Sequence, residues 1–175
     1  MVTPEKMNYT REDLIQSDAT MNQMRNAIYH LQRFLKLNGV ADVKQRLRTI
    51  GQNIAHTYFK YWKPIEYVDY SNIKDVLATL YKNILNSSIS IELDEVNKKI
   101  QIKDTDCPLC KYQFEDIEVA GCEVVVGMIS EFITLINKGL GEKRPFALKN
   151  PIVEESRTLG HKYCIHNYEY LSGGA

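Results

Sequence analysis

The sequence lacks an excess of either charge: 22 lysines and arginines stand against 22 aspartates and glutamates. A surface that grips a phosphate backbone without sequence preference carries a basic surplus, so nucleic acid is not an expected partner. A long apolar run is also missing. The longest candidate, 124–136, is broken by Ser130, Glu131 and Thr134, whereas spanning a bilayer takes about 20 apolar residues. No transmembrane segment is expected. The opening stretch MVTPEKMNYTRED has no apolar signal core, which makes a cytoplasmic location the expectation. There is no phosphate loop, no HExxH and no GxGxxG after a strand. Glu154 and Glu155 are adjacent, so on a strand they face opposite ways and cannot form an acid–base pair. With no nucleophile set beside a base, the chain reads as a binding module and not as an enzyme.

What is present is a helical half followed by a mixed half. At 175 residues and 44% hydrophobic, the chain can build one core of its own. Residues 1–20 are polar and read as a flexible N-terminal segment; 21–172 read as a single domain. Met24, Ile28, Leu31 and Leu35 predict a helix over 21–37, stopped by Asn38-Gly39 with Gly39 as a left-handed cap. Val43, Leu47, Ile50, Ile54, Tyr58 and Trp62 form the stripe of a second helix over 42–62. Gly51 weakens it by ~1 kcal/mol relative to alanine, which suggests close approach of another backbone. A third helix starts from Ser71 as N-cap. SISIELDEVNKKIQIKD alternates apolar and polar residues, as an antiparallel hairpin does. A fourth helix follows over 118–138, with small positions at Gly121 and Gly127, then two strands over 146–157 and 161–170. The fold class is α+β: three helices, then an antiparallel four-stranded sheet with a helix between its two hairpins.

The cysteines carry the chemistry. Cys107 and Cys110 enclose Pro108 in a CxxC knuckle, Cys122 opens the fourth helix, and Cys164 lies on the last strand. Two thiolates at that spacing are a recurrent half of tetrahedral zinc sites. A helix start favours a thiolate through its dipole. A closed four-thiolate site would be structural, with zinc as the expected cofactor. Buried free thiols and a redox pair are the other readings of the same residues. His166 would share the face of Cys164 and His161 would point away; a lone strand-end histidine is more often a surface or hydrogen-bonding residue than a ligand. Tyr58, Trp62, Tyr81 and Phe132 lie beside aliphatics on the helices. They read either as core or as the lining of an apolar pocket.

Two strings carry a resemblance. VKQRLRTIGQNIAHTYFKYW resembles the second helix of the core subunits of the transport protein particle (TRAPP). AGCEVVVGMISEF and EESRTLGHKYCIHNYE resemble the vinyl-4-reductase-type domain, a sister of the same fold. The resemblance implies that Cys122 and Cys164 match two zinc-binding cysteines of ligand-sensing members. An intervening cysteine falls on Ser156 and a glutamate on Val153, so Cys107 and Cys110 would supply the missing pair. Tyr67 falls where several TRAPP subunits carry an acylated cysteine, which leaves only a non-covalent hydrophobic ligand near it. The resemblance also implies a homodimer through the first two helices, with Tyr29, Leu31, Phe34, Leu35, Leu37, Tyr58, Phe59, Tyr61 and Trp62 as candidate surface. Two functions follow. One is a ligand-binding module with a structural zinc; the alternative is a scaffold subunit that recruits a protein partner in assembly or vesicle tethering.

Overall fold

The computed structural model describes residues 10–61, 66–141 and 146–171. Three helices come first: α1 (Arg11–Leu37), α2 (Val43–Tyr61) and α3 (Ile73–Leu85). The hairpin β1 (Ile89–Asp94) and β2 (Lys99–Asp104) follows, then a 3-10 turn over Pro108–Cys110 and α4 (Glu123–Gly139). The chain closes with β3 (Ala147–Glu155), a 3-10 turn over Arg157–Leu159, and β4 (Cys164–Leu171). The strands form one antiparallel sheet in the order β1-β2-β4-β3, so the last strand sits between β2 and β3. This is the α+β architecture that the alternation of patterns predicts.

α4 is buried nearly all round, with Val124, Val125, Val126, Ile129, Phe132, Ile133 and Ile136 in the core. It packs on α2 through glycine. A Cβ at Gly51 would overlap the Val124 carbonyl and crowd the Met128 amide, and a Cβ at Gly127 would overlap the Arg48 backbone. The expected close approach at Gly51 and Gly127 is therefore reciprocal: each helix lays its backbone into the gap left by the other's missing side chain. Arg48 Nε pins the start of α4 by pairing with Glu123 at 2.7 Å. Gly39 has φ +63°, the left-handed cap predicted for α1.

Several boundaries differ from the pattern-based expectation. α1 begins at Arg11, so residues 11–20 are helical although their polar composition suggested a loose segment. α3 begins at Ile73 after Asn72, and Ser71 is not its cap. Asp69 takes that part: its Oδ1 accepts from the Ser71 amide at 2.7 Å and the Asn72 amide at 3.3 Å. α4 starts at Glu123 instead of Glu118, because Gly121 is held against the Tyr29 hydroxyl and the Leu109 carbonyl before the helix opens. β4 begins at Cys164 and not at His161.

Candidate metal centre and apolar cavity

Three separated segments deliver the thiols to one place. The knuckle leaves β2 and turns at Pro108, where the Cys110 amide donates to the Cys107 carbonyl at 3.1 Å. Cys122 caps α4, its carbonyl accepting from Val126 at 3.0 Å. Cys164 opens β4, whose inner face carries Cys164, His166, Tyr168 and Tyr170. All four thiols are free and buried. The sulfurs of Cys107, Cys110 and Cys164 lie within 4.8 Å of one another, and Cys122, Cys164 and a ring nitrogen of His166 form a second such triplet. The two groups share Cys164. Tetrahedral zinc at about 2.3 Å from sulfur sets a sulfur–sulfur edge of roughly 3.8 Å; Cys107, Cys110 and Cys164 are within 4.8 Å of one another, and Cys122 joins them through Cys164.

The surroundings suit a thiolate cluster. Ser156 sits among the thiols: its hydroxyl donates to Cys110 Sγ at 3.4 Å and accepts from Cys122 and Cys164 at 3.9 Å. This is the position at which the resemblance placed an intervening cysteine. The Arg157 amide donates to Cys164 Sγ at 3.5 Å. Hydrogen bonds from Cys107, Cys110 and Cys122 hold the Cys164 thiol far below its ordinary pKa, and the bond from Cys107 brings Cys110 down to about 7. Hydrogen bonding to Cys110 and the other thiols pushes Cys107 up, and burial pushes Cys122 up. Thiols this close cannot all ionise without a cation among them.

His166 departs from the expectation of an ordinary strand-end residue. It is fully buried, its Nδ1 is 2.8 Å from the Tyr81 hydroxyl, and its Nε2 has no partner. The Tyr81 bond fixes the ring, as second-shell partners do for metal-binding histidines. The set therefore offers four soft thiols and one imidazole, a donor chemistry that fits zinc. His161 is not part of it; its Nδ1 lies 3.2 Å from the Ser156 carbonyl oxygen.

Next to the knuckle lies an apolar cavity of about 260 Å³, walled by Met21 and Met24 of α1, Ile54 and Tyr58 of α2, Leu109, and Val124 and Met128 of α4. Of the pocket residues expected from the sequence, Tyr58 is in this wall. Tyr81 and Phe132 are not; they are packed in the core, Tyr81 on His166 and Phe132 against Phe59 at 6.1 Å between ring centres. Tyr67 is half exposed at the other end of α4, its hydroxyl donating to the Leu140 carbonyl at 2.6 Å. Trp62 lies outside the described residues. The methionines, which fill and vacate irregular space easily, are the lining that aromatic-centred reading passed over.

No family model matches the chain, and no curated protein matches it. Solved structures do. Trafficking protein particle complex subunit 3 from Naegleria fowleri, covalently bound to palmitic acid, superposes with a TM-score of 0.62 over 91% of this chain and 97% of that one. The chain has the fold of that subunit. At 9% identity the likeness concerns the backbone alone. It agrees with the TRAPP resemblance of the α2 sequence. Among the described residues no helix is long and apolar enough to cross a membrane.

Proposed function

We propose that this chain is a non-catalytic, homodimeric module that binds a small hydrophobic molecule between its helices and is braced by a structural zinc. The zinc is held by Cys107, Cys110, Cys122 and Cys164. The observation that carries the reading is the convergence of four buried thiols from the hairpin exit, the start of α4 and the last strand. Such a clamp adds to the hydrogen bonds by which Arg25 and Tyr29 of α1 hold the knuckle, and metal binding then contributes directly to folding. The zinc has no open position, so its chemistry there is structural.

The ligand reading rests on the cavity beside the knuckle and on the fold shared with a subunit that carries palmitic acid. At about 260 Å³ the cavity lies just under the ~300 Å³ at which ordinary ligand pockets begin. Tyr67 rules out thioester chemistry at its position, so binding is non-covalent. A second reading, a scaffold subunit of a protein assembly, draws on exposed apolar residues of α1 and α2: Phe34 at 60%, Leu37 at 87% and Tyr61 at 86% exposure. Native mass spectrometry of chain purified without added metal tests both. The first reading expects a dimer with one zinc per chain and a small molecule lost on activation. A dimer that never carries a small molecule removes the ligand and favours the scaffold.

A further inference from the structure

Beside the apolar cavity, and sharing Met21 and Leu85 with it as walls, is a polar recess of about 350 Å³. Arg25 of α1 lines it. This guanidinium is only 4% exposed, yet every partner it has is neutral. Nη1 donates to the Pro108 carbonyl at 2.8 Å, Nη2 donates to Asn22 Oδ1 at 2.5 Å, and the group lies 4.8 Å from the centre of the Tyr112 ring. Its Nε is buried without a partner. Among the described residues no carboxylate pairs with it. A buried charge without a counter-charge is costly and is normally paired.

The other charges in the recess leave room for an anion. Asp106 is matched by Arg157 Nη1 at 3.5 Å. Asp18 and Lys111 also line the recess, both exposed and of opposite sign. Arg25 is thus the buried charge of the recess, and no carboxylate among the described residues answers it. An apolar chain in the cavity that passed between Met21 and Leu85 would bring its end group to this side chain.

Building on the apolar-ligand reading, we propose that the cavity and the recess form one site for a single-chain amphiphile. Its chain lies under α1 and its anionic head pairs with Arg25. The head enters a wall that includes Pro108, so it sits beside the cysteine knuckle and not at Tyr67.

Decanoate and decanol, which share a chain and differ in head charge, are the probes. Calorimetric titration into the full chain as purified, at neutral pH, reads both. Decanoate binds at least about tenfold more tightly than decanol, the size of effect a charge-assisted hydrogen bond gives, and the preference shrinks as salt is raised. Equal affinities, or a preference for the alcohol, overturn the head-group assignment and leave the cavity reading standing. Binding of neither probe overturns both. Arg25→Met, which keeps an apolar stem, weakens decanoate about tenfold and leaves decanol within about twofold; Arg25→Lys retains most of the preference. A decanoate preference that survives Arg25→Met in folded protein also overturns the proposal. The two-probe comparison on the unaltered chain decides the matter even where a variant fails to fold.

Discussion

At the scale of single residues, the thiol cluster depends on each member having no other occupation. Cys110 has polar contacts in its pocket with Ser156, Tyr29 and the neighbouring thiols. Replacing it with serine shortens the side chain and removes a soft donor, so Cys110→Ser should lose most of its zinc. Thermal unfolding should then fall by about 10 °C, because several kcal/mol of metal-linked stability goes with it. If zinc is absent from the wild type, the same change costs little. Ser156 is a gentler probe: Ser156→Ala removes a hydroxyl donor to Cys110 and no ligand. It should keep one zinc per chain and release it faster to a chelator, since outer partners typically tune affinity 10–100-fold. The CxxC and its two distant partners were legible in the sequence because cysteine spacing has few other uses. His166 and Arg25 were not. Their meaning lies in contacts such as Arg25 with Pro108, 83 positions apart, which no local pattern encodes.

At the scale of elements, the packing of α2 on α4 sets the geometry on which the site depends. Cys122 stands at the head of α4, five residues before Gly127, and that helix is positioned by glycine-to-backbone contact. Gly127→Ala gains ~1 kcal/mol of helix propensity, but its methyl group meets the Arg48 backbone, which has no rotamer to yield. The net result should be destabilisation of about 2 kcal/mol or more, read as a lower midpoint in denaturant. An equal or higher midpoint would show that the helices can separate without penalty. Period and punctuation made the existence of all eight main elements readable. Their starts were less so. The stretch EDIEVAG before Cys122 continues the composition of a helix, yet it is held outside one, with Asp116 paired to Arg33, Glu118 to Lys36 and Gly121 set against Tyr29. In the same way Ser71 is a good cap by residue type, and Asp69 displaces it because a carboxylate two residues earlier reaches both free amides.

At the scale of the whole molecule, the proposal is a dimer that carries a ligand and a metal. Tyr29 and Leu35, counted from sequence among the candidate interface, are buried within the protomer; Phe34, Leu37 and Tyr61 remain exposed. If these residues meet a second copy, Phe34→Glu combined with Leu37→Glu should give a monomer by light scattering with its helical content unchanged, since surface changes seldom disturb a fold. A double variant that stays dimeric would move the interface elsewhere. The metal is the part of the proposal that rests on the buried thiol cluster. X-ray absorption at the zinc edge, on chain purified without added metal or chelator, tests it directly. The account predicts a sulfur-dominated shell at about 2.3 Å. An oxygen and nitrogen shell near 2.0–2.1 Å, or no zinc signal at all, would contradict it.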